Sequence, residues 1–124
     1  MQSKRSLISV VDDDESIRES LPDLLREFGF SAHTFSSAEE FLASADLTQT
    51  DCLILDIAMP GMSGPELQRE LKIRGDNTPI IFITAQRDET ARPRLLELGA
   101  VEYLLKPFSE EDILTALKMA LRTG

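Results

Sequence analysis

Short apolar runs alternate with segments of helical period along the chain, and the pair recurs five times. The runs are Ile8-Ser9-Val10-Val11, a stretch at about 31 to 35, Leu53-Ile54-Leu55, Pro79-Ile80-Ile81-Phe82-Ile83 and Tyr103-Leu104-Leu105. Between them, apolar residues return at helical spacing. From about Ile17 the positions Ile17, Leu21, Leu24, Leu25 and Phe28 predict a first helix that Gly29 stops. Ser37 with Glu40 resembles a capping box opening a second helix that buries Phe41, Leu42 and Ala45, before a loop at Thr48-Gln49-Thr50. Pro65 suits the first turn of a third helix with Leu67 and Leu71 inward and Gly75 past its end, and Gly99 closes a fourth. Ser109 caps a fifth, followed by Glu110, Glu111 and Asp112, with Ile113, Leu114, Leu117, Ala120 and Leu121 as its inward stripe.

Strands that are continuously apolar are buried on both faces, which predicts a parallel sheet covered by helices. The fold class is therefore α/β: a doubly wound, five-stranded parallel sheet in the order 2-1-3-4-5 with five helices on its two faces. Ligands of such sheets bind at the carboxyl ends of the strands, near the switch between strands 1 and 3. Asp12, Asp13 and Asp56 stand at those ends.

Composition narrows the function. A length of 124 residues suits one domain, 1–124, with a core that needs no staples. Cys52 is the single cysteine and His33 the single histidine, so neither an internal disulfide nor a Cys/His zinc set is available, and a reducing, cytoplasmic setting fits. Lys4 and Arg5 precede an apolar stretch of only about five residues, short of the roughly 7 to 15 of a signal-peptide core. No membrane span is present in the pattern. The net charge of -9 argues against nucleic-acid binding by this chain, because backbone phosphates need clustered Lys and Arg.

The carboxylates carry the chemistry. Three of them within about 5 Å repel by roughly 3 kcal/mol per pair at an effective dielectric of 20, so a cation is expected with them. Mg²⁺ suits: it takes one or two carboxylates, waters and phosphate oxygens, and a backbone carbonyl just past Asp56 could join the set. Asp56, delivered by an apolar strand into the loop Ile57-Ala58-Met59-Pro60-Gly61, can then attack a phosphoryl group and become an aspartyl phosphate. Such transfer needs positioning and charge neutralisation, which Lys106 and Thr84, at two further strand ends, are placed to assist.

These residues carry a resemblance over essentially the whole length to the receiver domains of two-component response regulators, of the flavodoxin-like fold. It rests on Val10-Val11-Asp12-Asp13, Asp56 followed by Met59-Pro60 and Ser63-Gly64, Thr84-Ala85, Gly99-Ala100, and Tyr103-Leu104-Leu105-Lys106-Pro107-Phe108. The resemblance implies that Asp56 accepts a phosphoryl group from a histidine kinase or phosphotransfer protein. It implies that Asp12, Asp13 and the Ala58 carbonyl bind Mg²⁺, that Thr84 swings toward the phosphoryl group, and that Tyr103 turns inward. The surface of the fourth helix, fifth strand and fifth helix then changes, with homodimerisation through it as one outcome. By the same resemblance, Lys106-Pro107 is cis, and Ala58 and Gln86 tune self-hydrolysis, present but not fast. The domain is a switch and not an enzyme beyond its own phosphorylation and dephosphorylation.

Rival readings are a docking module independent of phosphorylation, a haloacid-dehalogenase-like phosphatase, and a flavin binder. The phosphatase lacks its second acid, because Ala58 stands two places after Asp56; the flavin reading fails on Asp12-Asp13-Asp14-Glu15, which would repel a phosphate. Asp14 reads as a helix cap more than a ligand, Cys52 as core, His33 as surface, and Met59 and Met62 as flanking loop residues. Pro22 is expected to kink the first helix and Pro93 to delay the fourth until Arg92 or Pro93. An end at Arg122-Thr123-Gly124 suits either a single-domain regulator or the front piece of a transcription factor with a helix-turn-helix output.

Overall fold

In the computed structural model, residues 5–86, 88 and 90–122 are described; Lys4 of the basic pair and the terminal Thr123 and Gly124 lie outside them. The most continuously apolar runs form the middle of the sheet: β1 (Leu7–Val11), β3 (Cys52–Asp56) and β4 (Ile80–Thr84), the last two buried at every residue. The less apolar β2 (Ser31–Phe35) and β5 (Glu102–Leu105) become the edges, giving the order β2-β1-β3-β4-β5 with all pairings parallel. Both the fold class and the strand order read from the sequence are observed.

Period-2 alternation along the buried strands splits the core in two. Leu53, Leu55 and Phe82 face one way, against Phe41, Leu67, Leu71 and Leu95. Ile54, Ile81 and Ile83 face the other, against Leu21, Leu25, Ile113 and Leu117. These partners come from α2 (Ala38–Leu42), α3 (Gly64–Ile73) and α4 (Ala91–Glu97) on the first face, and from α1 (Glu15–Glu27) and α5 (Glu110–Leu121) on the second. Cys52 belongs to the second core, and burial pushes its thiol up to about 12. Among the described residues no helix is long and apolar enough to cross a membrane.

Caps set the helix ends. Asp14 accepts from Ser16 N at the start of α1, as expected, and the helix continues through buried Pro22. Ser109 accepts from Asp112 N and opens α5. Its inward face differs from expectation: Ala116 is buried, while Leu114 and Leu121 are half-buried. Ser37 accepts from Glu40 N, but the Glu40 carboxylate reaches past it to Ser36 N at 2.7 Å. α2 then lasts five residues, and Ala45 lies exposed in a 3-10 turn, Ala45–Thr48, so its expected burial is corrected. α4 has seven residues from Ala91 with Pro93 in its first turn, close to the late start expected. His33 is exposed on β2 and pairs with Asp46 at 2.7 Å.

So short an α2 is held chiefly by Phe41, which is 1% exposed and meets Phe35 edge-on at 5.3 Å. Phe41→Ala is expected to lower the unfolding free energy by ~3–5 kcal/mol in urea denaturation; a loss below about 1 kcal/mol would show that α2 is not anchored there.

Candidate functional site

Parallel register brings the strand ends together. Val11 pairs with Leu55 and Asp56 with Ile83, so Asp12, Asp56 and Thr84 arrive side by side at the carboxyl rim. The Lys106 amide donates to the Thr84 carbonyl at 2.8 Å, which places the Lys106 side chain on the same rim; its bond to Pro107 is cis, as expected. One oxygen from each of Asp12, Asp13 and Asp56 lies within 4.8 Å of the others. Lys106 Nζ is 2.8 Å from Asp12 Oδ2, 3.9 Å from Asp56 Oδ1 and 3.8 Å from Asp14 Oδ2.

Burial makes this cluster costly. Asp12 is 0% and Asp56 5% exposed, while Asp13 faces solvent. Carboxylates at 4.8 Å repel by roughly 3 kcal/mol at an effective dielectric of 20, and one ammonium offsets them only in part. Burial, then the neighbouring Asp12 charge, pushes the Asp56 carboxyl from 3.8 up to about 7, against the downward pull of Lys106. For Lys106 burial works against the ammonium, but the close contact with Asp12 and the charges of Asp12, Asp56 and Asp14 outweigh it and raise its pKa.

Asp12 Oδ1 accepts the Asp14 amide at 2.9 Å, whereas its fully buried Oδ2 is aligned for a hydrogen bond with no described group. The 2.8 Å approach of Lys106 to that oxygen is thus a charge contact of poor angle. An open carboxylate oxygen within a set of oxygen donors fits a hard divalent cation such as Mg²⁺.

The structure brings Asp12, Asp13, Asp56 and Lys106 together and sets Asp14 at their margin as a helix cap. Ala58 is exposed in the loop after β3, whose Met59 is buried in the core. Thr84 is 3% exposed and its Oγ1 accepts the amide of exposed Gln86 at 3.2 Å. Tyr103 does not join the cluster. Paired with Phe82, it is already buried in the core with Leu95 and Ala100, and its hydroxyl donates to the Asp88 carbonyl at 3.4 Å.

Three supporting groups escaped the sequence reading. A Cβ on Gly64 would overlap the Asp56 carbonyl oxygen and stand 3.0 Å from Ile57 Cα, so only glycine lets α3 start against the β3 end. Arg18 Nη1 donates to the Asp12 carbonyl at 2.9 Å, and Glu39 Oε2 accepts the Met62 amide at 3.0 Å. Arg18 and Glu39 lie on polar helix positions, where periodicity carries no signal; Ser63-Gly64 was noted as a motif, but close backbone approach is visible only in three dimensions.

Comparison with known proteins agrees with this geometry. The profile of the response regulator receiver domain matches residues 8–118. Response regulator protein TodT of Pseudomonas putida is 42% identical over 98% of this chain and 54% of its own length. Transcriptional regulatory protein FixJ of Azorhizobium caulinodans is 36% identical over 92% of this chain and 54% of its own. The chain thus spans about half the length of these curated relatives. The structure of response regulator StyR superposes with a TM-score of 0.89 at 45% identity, covering 97% of this chain and 61% of that one.

The raised Asp56 pKa has a signed consequence. Between 3.8 and about 7 the folded state holds a proton that the unfolded chain has released, so ionised Asp56 opposes folding and stability falls as pH rises through that window. In metal-free buffer Asp56→Asn is expected to stabilise the fold by ~2 kcal/mol at about pH 8 and by little near pH 4, since solvent at the rim screens part of the full shift. Urea titrations with a chelator measure this; an equal effect at both pH values would contradict the electrostatic assignment.

Proposed function

The chain belongs to the response regulator receiver domain family, and from that premise we propose that residues 1–124 act as one receiver domain, a switch thrown by phosphorylation of Asp56. The observation that carries the reading is the buried Asp12–Asp56 pair with Lys106 reaching both carboxylates. A histidine kinase or phosphotransfer protein of a two-component system is the donor. One Asp56 oxygen forms the new O–P bond as the donor's bond to phosphorus breaks and its electron pair leaves with the donor. Asp12, Asp13 and Asp56 with the Ala58 carbonyl would hold Mg²⁺, which when bound neutralises the carboxylates and the phosphoryl oxygens. Lys106 keeps an ammonium beside the acceptor throughout, and its raised pKa secures that charge.

Thr84 is the next group to respond. A hydroxyl donates and accepts at once, so Thr84 can move to the rim and donate to a phosphoryl oxygen while its Oγ1 still accepts the Gln86 amide and draws that segment with it. Asp88, four residues after Thr84, is held through its carbonyl by the Tyr103 hydroxyl, so the shift reaches a ring already inside the core instead of one that must first turn inward. The face of α4, β5 and α5 carries the outcome, with homodimerisation through it one form of output. Gln86, exposed beside Thr84, is the side chain able to orient water for slow self-hydrolysis; Ala58 has no group to do so. The domain works in the cytoplasm and alters only its own phosphorylation state. As in relatives named as transcriptional regulators, the pathway it serves is transcriptional regulation, without nucleic-acid contact from this acidic domain.

Incubation with Mg²⁺ and a small acyl phosphate, followed by intact-mass measurement, is expected to add one phosphoryl group. The gain should vanish in Asp56→Asn and with a chelator. An unmodified chain, with that donor and with its kinase, overturns the reading.

A further inference from the structure

After Asp56 the chain leaves the sheet in a loop, Ile57 to Ser63, before α3 begins at Gly64. Both ends are pinned: the Ile57 amide donates to the Ile83 carbonyl at 3.1 Å and the Gly64 amide to the Ile57 carbonyl at 2.9 Å. Between them Pro60 has no N–H and Gly61 takes a left-handed φ of 75°, so the loop's own backbone offers little to hold its far limb. That limb is held from outside. Glu39, in the first turn of α2, sends Oε2 to the Met62 amide at 3.0 Å across 23 positions of sequence. The same oxygen lies so close to Gly61 that a Cβ there would stand 2.7 Å from it. Among the described residues Glu39 makes no ion pair, so its carboxylate is committed to the loop and not to a neighbouring cation.

We propose that Glu39 is a positioning residue for the metal-side loop: its carboxylate straps Gly61 and Met62 to α2, fixes the loop that carries Ala58, and thereby raises the affinity of the crater for Mg²⁺. The inference rests on the function proposed above, in which the Ala58 carbonyl is a ligand. A charged acceptor strengthens the N–H bond, and a loop fixed in advance loses less freedom when a ligand binds. Groups that orient metal ligands without touching the metal commonly change affinity by about tenfold or more when removed. Two features that look unrelated meet at the strap: the Glu39 carboxylate lies where a Cβ at position 61 would stand, and α2, though short, is placed where its first turn reaches the loop.

A rival account has Glu39 attract the cation through its charge alone, and Glu39→Gln separates the two by keeping an acceptor without the charge. The test is calorimetric titration of Mg²⁺ into the metal-free full chain at about 0.15 M ionic strength, where the Debye length is about 8 Å and remote fields are screened. Alongside it, amide hydrogen exchange at Met62 is followed with no metal present. Glu39→Ala is expected to weaken Mg²⁺ binding about tenfold and to lose Met62 protection while the thermal midpoint stays put. Glu39→Gln should remain within about threefold of the wild type. Binding by Glu39→Ala within twofold of wild type overturns the strap, as does Glu39→Gln binding no better than Glu39→Ala. If the wild type takes up a phosphoryl group while Glu39→Ala keeps its Mg²⁺ affinity, the strap alone falls. If the wild type neither binds Mg²⁺ nor is phosphorylated, the reading of the crater falls with it.

Discussion

Two carboxylates taken out of water beside each other, with a single ammonium between them, set the terms for the rest of this fold. Asp12 and Asp56 are buried at adjacent strand ends, and Lys106 touches both without balancing both. Separated charges of this kind persist only where surrounding structure over-determines them. Here the parallel register of β1, β3 and β4 places the acids, and the bond from the Lys106 amide to the Thr84 carbonyl places the lysine. Gly64 lets α3 close against the Asp56 carbonyl. The two apolar layers supply the stability that the rim spends.

A crater short of positive charge is also poised to respond. A divalent cation and a phosphoryl group together would relieve the carboxylate repulsion and draw in the Thr84 hydroxyl, whose oxygen accepts the Gln86 amide. The neighbouring α4 is well suited to register that shift. It has seven residues, no side-chain cap and one buried residue, Leu95, and an Arg92–Glu102 ion pair of 3.0 Å links it to β5. Few buried contacts mean that little free energy is needed to shift it. Output through α4, β5 and α5 is therefore the economical assignment for the proposed switch.

Much of this was legible before any coordinates. Continuous apolar runs reveal a parallel sheet because burial on both faces leaves no polar alternation, and the strand-end acids, Thr84 and Lys106 follow once the strands are parallel. What escaped depended on lengths and close approaches. The apolar stripe of Phe41, Leu42 and Ala45 suggests a longer second helix, yet α2 ends at Leu42 and a 3-10 turn follows, which leaves Ala45 outside. Ala116 shares the i, i+3, i+4, i+7 stripe with Ile113, Leu117 and Ala120, whereas Leu114 and Leu121 stand at its flanks. Arg18 and Glu39 act on backbone atoms far along the chain, and no local pattern marks a side chain whose partner is a distant carbonyl or amide.

The central claim is that Asp56, framed by Asp12, Asp13, Thr84 and Lys106, is built to carry a phosphoryl group. The most direct measurement is a crystal structure of the chain with Mg²⁺ and beryllofluoride, a stable mimic of that group. The account expects the beryllium bonded to an Asp56 oxygen, one fluorine within reach of Lys106 Nζ and another accepting from the Thr84 hydroxyl. A crater that binds no adduct under saturating conditions, or an adduct on another carboxylate, would contradict it.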